Sequence, residues 1–158
     1  MEKGSDDLKV KLIILVVMVV AILQACTDKE YKPKEIVSET DVCEVCNMSI
    51  VHEDYAGQIA LANGDYKMFD DLGCLIEYMK EMDDGDLGKA FIKDEGGKNW
   101  VDVKSANYVY DKEIWTPMSY GVIAFKSEAV AKDWTTKNKG GTLLRFNDLE
   151  DFKWGVHK

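Results

Sequence analysis

Hydrophobic positions divide the chain into an apolar N-terminal segment and a longer mixed region. Residues 12–23 read LIILVVMVVAIL, twelve consecutive apolar residues. As a helix this run would rise about 18 Å at ~1.5 Å per residue, whereas a bilayer core is about 30 Å thick. The run is therefore short for a permanent membrane span, and Lys9 and Lys11 before it are typical of the charged start of a signal peptide.

Within the mixed region, one short pattern occurs twice. Gly57–Leu61 (GQIAL) recurs 64 residues later as Gly121–Phe125 (GVIAF), and each copy predicts a buried strand. Each copy is followed by a stretch with helical periodicity and then by another strand, at Ala90–Ile92 and at Thr142–Phe146. The sequence therefore predicts an α+β fold in which a strand, helix, strand order appears twice.

The two helical stretches carry start signals. Asp70 is placed to cap the first helix and Ser127 to cap the second. One face of the first helix carries four apolar side chains at helical spacing: Leu72, Leu75, Ile76 and Met79. Further strands are predicted at residues 66–69 and within residues 99–110.

The residues after the apolar run resemble the bacterial lipobox. Leu23-Gln24-Ala25-Cys26 has leucine at position −3, a small alanine at −1 and cysteine at +1. The resemblance implies cleavage before Cys26 and attachment of diacylglycerol to its sulfur, with residues 1–25 as the signal peptide. An uncleaved short anchor is the alternative. Both interpretations place the rest of the chain on the extracytoplasmic face of the cell membrane, and two acyl chains anchor stably where one is marginal.

A polar segment follows the predicted lipid site. Residues 26–40 contain TDKEYKPKEIVSET, which includes Pro33. This composition predicts a flexible tether with a reach on the order of 20 Å. We expect one compact exported domain over residues 41–158, made of two similar units at about 41–98 and 99–158.

Composition narrows the classes of function. The chain has 158 residues, a formal net charge of −9 and two histidines. The acidic balance argues against nucleic acid, because binding a phosphate backbone needs a clustered positive surface. The sequence has no Ser-His-Asp set, phosphate-binding glycine loop or paired-carboxylate signature, and two histidines leave little material for general acid–base catalysis. We therefore expect a binding protein and not an enzyme.

The candidate chemistry lies at residues 41–48, DVCEVCNM. Cys43 and Cys46 place two thiols three residues apart, and Met48 adds a thioether. A thiol–disulfide redox pair would need a thiolate at a helix N-terminus in a thioredoxin-like context, and no strand precedes Cys43. Thiolate and thioether together favour Cu(I), a soft ion that accepts two or three ligands.

A zinc site is a third interpretation of the cysteine pair. Structural zinc takes four Cys or His ligands, usually as two pairs. Beyond the first pair, Cys74, His52 and His157 form no second pair at standard spacing. The sequence alone leaves the redox, zinc and soft-metal interpretations open.

Three motifs together resemble the NosL-type copper chaperone lipoproteins. They are Cys46-Asn47-Met48, the FDDLGC segment at residues 69–74, and Thr116-Pro117-Met118, in that order along the chain. The resemblance runs from the lipobox to about residue 146. It implies two ββαβ units related to part of organomercurial lyase. It also implies delivery of Cu(I) to exported copper enzymes, typically nitrous oxide reductase.

The resemblance also implies a ligand set. Cys46 and Met48 match the first motif and Met118 matches the Thr-Pro-Met motif, which implies that these three side chains bind Cu(I). Cys43 matches members with an extra upstream cysteine and is a candidate third sulfur or transfer ligand. Cys74 lies roughly opposite the apolar stripe of its helix, as an accessory thiol or a surface side chain. His52 is a candidate to close the site or a solvated histidine.

These observations predict a membrane-anchored, extracytoplasmic Cu(I) metallochaperone. Its expected partners are an exported copper enzyme, either nitrous oxide reductase or a copper oxidase, and a membrane copper transporter. The alternative is a thiol–disulfide oxidoreductase lipoprotein that uses Cys43 and Cys46 and needs neither Met48 nor Met118. A passive copper-binding lipoprotein without a transfer role has the same sequence features.

Overall fold

The computed structural model describes a folded region and four residues near the N-terminus. The described positions are 9, 11, 14–15, 29–38, 40–83 and 85–152. Contacts divide the chain into Met1–Glu30 and Tyr31–Lys158. The four N-terminal positions are helical, whereas Cys26 and most of the predicted signal peptide lie outside the described residues. In the described part of the chain, no helix combines the length and apolar character that a membrane crossing requires.

Helices and strands alternate along the unit Tyr31–Lys158. In chain order the described elements are a 3-10 helix (Glu53–Tyr55), β1 (Gly57–Leu61), β2 (Tyr66–Phe69), α1 (Leu72–Glu81), β3 (Leu87–Lys93), β4 (Trp100–Asp102), β5 (Asn107–Tyr110), β6 (Val122–Phe125), α2 (Glu128–Asn138), β7 (Thr142–Arg145) and α3 (Phe146–Glu150). The predicted α+β class is confirmed.

The strands form two antiparallel sheets with the same internal plan. Their strand orders are β2-β1-β3-β4 and β6-β5-β7. In each sheet the first strand of a ββαβ unit is central, the second pairs on one side, and the strand after the helix pairs on the other. The predicted pair of ββαβ units is therefore present, as β1–β2–α1–β3 and β5–β6–α2–β7.

The two matching pentapeptides do not mark equivalent positions in these units. Gly57–Leu61 is β1, the first and central strand of its unit, whereas Gly121–Phe125 contains β6, the second strand of its unit. Both strands are buried along almost their whole length. Their similarity reflects a shared need for small and branched apolar side chains at buried strand positions.

The division between the two units also differs from the expected one. β4 pairs with β3, with Ile92 opposite Val101, and so extends the first sheet. The boundary between the sheets consequently lies between Asp102 and Asn107, and not near residue 98. A separate parallel bridge between Asp94 and Ala124 joins the two sheets.

The segment before residue 40 packs on the first sheet and is not part of a flexible tether. The Gln58 side chain, fully buried on β1, accepts a hydrogen bond from Lys34 N–H at 2.7 Å and donates one to the Lys34 carbonyl at 2.9 Å. Ile36 is buried in a small cluster with Ile50 and Ala56. A buried amide needs such partners, so the predicted tether is too long, and the compact unit begins at Tyr31.

The first helix begins one residue later than a cap at Asp70 would place it. Asp71 is the N-cap of α1, and its carboxylate accepts a hydrogen bond from Gly73 N–H at 3.1 Å. The predicted cap at Ser127 is confirmed, because its side chain accepts from Val130 N–H. The shift at α1 leaves the Asp70 carboxylate without a capping role.

Candidate metal centre

The Cys-Glu-Val-Cys-Asn-Met segment forms a tight loop closed by backbone hydrogen bonds. Val42 and Ser49 pair as an isolated antiparallel bridge, and Cys43 N–H donates to the Met48 carbonyl at 2.9 Å. Asn47 turns the chain with a φ of 59°. Asparagine adopts this left-handed conformation more readily than most residues. The loop thus presents Cys43 and Cys46 on a fixed backbone.

A second backbone contact attaches this loop to the first sheet. Glu44 N–H donates to the carbonyl of Met68 on β2 at 3.0 Å, and a Lys67–Glu44 ion pair lies beside it. Because β2 runs directly into α1, this contact places the cysteine loop against the first turn of that helix. Cys43 and Cys74 are therefore neighbours although they are far apart in the sequence.

Three thiols and one carboxylate meet at this junction. The Sγ atoms of Cys43, Cys46 and Cys74 and a carboxylate oxygen of Asp70 all lie within 4.8 Å of one another. None of the three cysteines is in a disulfide. Cys43 and Cys74 are buried, whereas Cys46 is half-buried and forms the outer side of the cluster. The arrangement is a four-donor set that is accessible from one side.

The Asp70 carboxylate is only partly satisfied within the described structure. Its Oδ2 accepts a hydrogen bond from Cys46 Sγ at 3.5 Å. Its Oδ1 is buried and has no hydrogen-bond partner among the described residues. Since buried polar atoms are nearly always paired, the unpaired oxygen beside three thiols indicates a binding role.

The three thiols differ in acidity. A hydrogen bond from Cys74 lowers the pKa of Cys43 to about 6, and burial opposes this shift. Burial raises the pKa of Cys46 to about 11. The hydrogen bond with Cys43, together with burial, raises the pKa of Cys74. Cys43 is therefore the most acidic thiol of the cluster, and the surroundings of Cys46 and Cys74 favour their protonated forms.

The Thr-Pro-Met loop of the second unit is anchored to the start of α1. Met118 N–H donates to Asp71 Oδ2 at 3.1 Å. Thr116 Oγ1 accepts from Tyr120 N–H at 3.0 Å, which closes the loop. Met118 is half-buried and packs on the core cluster that contains Cys43 and Cys74. The helix cap thus attaches the Met118 backbone of the second unit to the start of α1.

Burial also acts on the carboxylate that makes this connection. Asp71 is 1% exposed, and loss of solvation raises its pKa. The hydrogen bonds from the Thr116 side chain and from the backbone of Gly73 and Met118 act in the opposite direction. Asp70 and Asp71 are therefore adjacent buried carboxylates with different roles: Asp71 is bonded to backbone, and Asp70 faces the thiols.

Most of the chain matches a known protein family. The family model described as NosL matches residues 33–153. The chain belongs to the NosL family. The match contains both sheets and the whole thiol cluster.

A solved structure of another NosL protein has the same fold. The crystal structure of the copper chaperone NosL from Shewanella denitrificans superposes with a TM-score of 0.66 and 17% sequence identity. The match covers 76% of this chain and 96% of that one. No curated protein sequence matches the chain significantly.

The residues predicted from the NosL-type motifs occupy three different settings. Cys43 and Cys46 belong to the cluster. Met48 lies on the same loop with 47% of its surface exposed. Met118 lies in the Thr-Pro-Met loop, whose backbone bonds to Asp71. His52 is outside the four-donor set, and its ring packs edge-on against Trp115 with centroids 4.9 Å apart.

Cys74 differs most from its expected setting. The helical wheel placed it opposite the apolar stripe, yet it is 1% exposed. The first turn of α1 is covered on all its faces, since Leu72 through Ile76 are all buried. The cysteine loop covers the face that a wheel assigns to solvent, so Cys74 is an inner member of the cluster.

Asp70 was not predicted as a ligand, because its position directly before a helix is typical of a capping residue. One signal was available. A helix needs one capping side chain, and the Asp70-Asp71 pair supplies two carboxylates directly before a helix that carries Cys74. Because Asp71 caps the helix, the Asp70 carboxylate is not needed for capping, and it lies beside the three thiols.

Proposed function

We propose that this NosL-family protein is a membrane-anchored, extracytoplasmic metallochaperone that carries Cu(I). The observation that carries the proposal is the cluster of Cys43, Cys46 and Cys74, whose sulfurs lie within 4.8 Å of one another and of Asp70. Thiolates are the ligands that Cu(I) prefers. A solved relative with this fold is described as a copper chaperone. Carrying an ion is not catalysis, so the proposal does not make the protein an enzyme.

The graded exposure of the sulfur ligands suits transfer. Cys43 is fully buried, Cys46 is half-buried and Met48 is half exposed. A partner's ligand can approach Cu(I) on the outer side while the inner thiolates still hold it. Cu(I) accepts two or three ligands, so an exchange can pass through a shared intermediate without releasing the ion. Met118 is the proposed second thioether, and the hydrogen bond from its backbone N–H to Asp71, the neighbour of Asp70, supports this choice.

The sequence motifs support the proposed location and client. The lipobox-like segment that ends at Cys26 supports a lipid anchor on the outer face of the cell membrane. The proposed client is an exported copper enzyme, with nitrous oxide reductase as the first choice and a copper oxidase as the second. A membrane copper transporter is the proposed donor. Cu(I) is the cargo in each transfer.

The geometry gives less support to thiol–disulfide exchange. In that chemistry the thiolate with the low pKa must reach a substrate disulfide. Here the thiol with the lowered pKa is Cys43, which has no exposed surface, and the more accessible Cys46 has a raised pKa. Cys43 also lies in a turn and not at a helix N-terminus.

The direct test is a titration of the reduced full chain, in mild detergent, with Cu(I) against a competing chelator. We expect one tightly bound Cu(I) with sulfur neighbours in X-ray absorption. Cys46→Ser should lower the affinity at least tenfold. Met48→Leu and Met118→Leu preserve volume and should weaken binding severalfold. Met82→Leu is the matched control, because Met82 lines a separate cavity with Met79 and Phe146.

Two outcomes would contradict the proposal. One is that the wild-type chain cannot compete with the chelator. The other is that both methionine variants match the Met82→Leu control in affinity and in transfer to a copper-free client. Rapid turnover of a disulfide substrate by the copper-free chain would instead favour the oxidoreductase function.

A further inference from the structure

A cleft that contains none of the four cluster donors lies where the two sheets meet. Its volume of about 530 Å³ is within the range of about 300–1,000 Å³ that is typical of ligand sites. Its walls come from the end of β3 and the loop after it, from β6, and from the loop between β5 and β6. The parallel bridge between Asp94 and Ala124 joins the sheets here, and both residues line the cleft. Both ββαβ units therefore contribute to one concave surface.

The cleft is strongly acidic. One lysine and six carboxylate residues line it, and the six are Asp54, Asp71, Asp94, Glu95, Asp111 and Glu113. The ammonium group of the lysine, Lys93, lies over the ring of Trp100, 4.6 Å from its centroid, and Trp100 is outside the cleft. Of the six acids, Glu113 alone forms an ion pair within the described part of the chain, with Lys112 on the surface. A positively charged ligand would thus meet carboxylates that are not already neutralised.

Aromatic and aliphatic side chains complete the walls. Tyr55 and Trp115 pack edge to face with ring centroids 5.5 Å apart, and Trp134 is the third aromatic lining residue. Trp115 is 55% exposed, so its indole is open to a ligand. An indole face attracts an ammonium or guanidinium group, and apolar lining residues such as Ile92 and Val122 would cover a methylene stem. Arginine and lysine side chains combine such a stem with such a charge.

The carboxylates of the cleft do not converge on a single point. In the described ranges, the thiol cluster is the one group of three or more acidic, cysteine or histidine donors close enough together to share a metal ion. A metal ion in the cleft would therefore have fewer than three carboxylate ligands. Phosphate groups and anionic lipid headgroups would be repelled. Carboxylates distributed along a cleft with three aromatic rings instead suit a chain that carries several positive charges.

We propose that this cleft binds a segment of a partner protein that presents arginine or lysine side chains next to apolar ones. The partner is the copper-receiving client of the proposed function, on which the identity of the occupant rests. A chain with a net charge of −9 also favours a partner with a basic contact surface.

Two residues connect the cleft to the loops that carry proposed copper ligands. Asp71 lines the cleft, follows Asp70 in the chain and accepts a hydrogen bond from Met118 N–H. Trp115 lines the cleft three residues before Met118. A partner segment held in the cleft would therefore contact the loop that carries Met118, which suits docking for copper transfer.

The experiment uses the isotope-labelled full chain, reduced and metal-free, in mild detergent. The probe is an acetylated tetrapeptide amide of alternating arginine and leucine. Its matched control carries citrulline, which has nearly the shape of arginine without the charge. Nuclear magnetic resonance of the indole N–H groups follows the tryptophans, and Trp115→Phe identifies the Trp115 signal. We expect the arginine peptide to shift that signal and to bind about tenfold more tightly than the citrulline peptide, and salt at about 0.5 M should weaken its binding.

Two double variants form a matched pair: Glu95→Gln with Asp111→Asn, and Glu81→Gln with Asp86→Asn. Each removes two negative charges, but only Glu95 and Asp111 line the cleft. The first double variant should bind the arginine peptide about tenfold more weakly, and the second should stay within about twofold of wild type. Both should keep Cu(I) affinity within about twofold, because the four residues lie outside the thiol cluster. The first should also slow Cu(I) transfer to copper-free nitrous oxide reductase, the first-choice client.

Three results would overturn the inference: equal binding of the arginine and citrulline peptides, no shift of the Trp115 signal, or equal losses of peptide affinity in the two double variants. An unchanged rate of copper transfer in the cleft variant would overturn the assignment of the cleft to the client. Peptide binding is measured without copper, so Cu(I) binding without peptide binding contradicts only this inference. Peptide binding by a chain that binds no Cu(I) contradicts the proposed function and, with it, the identity of the partner.

Discussion

Among single residues, Cys74 has the strongest influence on the acidity of the cluster. Its hydrogen bond is the largest cause of the lowered pKa of Cys43, about 6. In Cys74→Ala the donor is lost while Cys43 remains buried, so the pKa of Cys43 should rise to the ordinary thiol value of about 8.5 or above. The ultraviolet absorbance of thiolate, followed against pH in the reduced metal-free chain, measures the midpoint.

Cys46→Ala is the control for this prediction. It removes a neighbouring thiol but leaves the bond between Cys74 and Cys43, so the midpoint should stay within about one pH unit of the wild-type value. A Cys74→Ala variant that still titrates near pH 6 would show that another group holds the Cys43 thiolate.

The same residues set the pH dependence of copper binding. At pH 7 Cys43 is a thiolate, whereas Cys46, with a pKa of about 11, is protonated. Cu(I) must displace the Cys46 proton, so affinity should rise about tenfold per pH unit between pH 7 and 9 for each proton displaced. Below about pH 6 Cys43 also takes up a proton, and the dependence should steepen. Chelator competition at fixed pH values measures this, and a flat profile would contradict thiolate coordination.

Helix α1 connects the two units through its N-cap. Asp71 accepts hydrogen bonds from Gly73 within the helix and from Met118 in the second unit. Asp71→Ala should destabilise the protein by about 2 kcal/mol, because a cap is lost and a backbone N–H of the Thr-Pro-Met loop loses its acceptor. Ser127→Ala at α2 should cost about 1 kcal/mol, since that cap is exposed.

Urea unfolding of the reduced metal-free chain measures both values. Asp71→Asn keeps one acceptor oxygen, for either Gly73 N–H or Met118 N–H, and should recover at most about half of the loss. If Asp71→Ala were no more destabilising than Ser127→Ala, the bond to Met118 would contribute nothing to the joining of the units.

The glycine in the first turn of α1 has a packing role. A Cβ on Gly73 would overlap the ring of Tyr120. Alanine normally stabilises a helix by about 1 kcal/mol over glycine, yet Gly73→Ala should destabilise by about 1–3 kcal/mol, because Tyr120 must move. Gly85→Ala is the control, with no atom within 4 Å of the added Cβ. Thermal unfolding compares the two, and a more stable Gly73→Ala variant would contradict the prediction.

Helices and strands with one apolar face could be predicted from the sequence. The burial of an element that is covered on several faces could not. The stripe of Leu75, Ile76 and Met79 fixed the position of α1 because helical spacing expresses a single buried face. The burial of Cys74 was not predicted, because a helical wheel shows only the apolar face of a helix. It does not show that another segment covers the opposite face. That surface is the cysteine loop, which a backbone contact to Met68 attaches. Such long-range contacts have no local sequence signal.

In the molecule as a whole, the sequence motifs identified the region of the site, whereas the order of the strands and helices brings its side chains together. Cys43, Cys46 and Met118 were recognisable from motifs. The approach of Asp70 and Cys74 depends on the order of β2 and α1 in the first unit. The start of the compact unit was also not predicted, because residues 31–38 are mostly polar. Within them, the backbone of Lys34 bonds to Gln58, a buried side chain on β1. Polar composition predicts exposure, and it cannot show that a buried amide requires backbone partners.

Residues 31–38, the docked segment, follow the proposed lipid anchor in the sequence and bond to β1 through Lys34. Gln58→Ala removes both hydrogen bonds to Lys34, each worth about 1 kcal/mol. The segment should therefore open about thirtyfold more often. Trypsin should then cleave after Lys34 correspondingly faster, measured by mass spectrometry. Cleavage after Lys32 stays blocked by Pro33. Asn63→Ala, in the exposed turn between β1 and β2, should not change the rate.

The same variant separates anchoring from metal binding. Release of residues 31–38 adds up to about 25 Å of reach at ~3.3 Å per residue, whereas the donors of the cluster lie on other elements. Gln58→Ala should therefore keep Cu(I) affinity within about threefold and alter only the rate of transfer between membrane-bound partners. A rate that changes in vesicles but not between soluble fragments would assign the docked segment to positioning. A loss of affinity would instead show that the segment supports the metal centre itself.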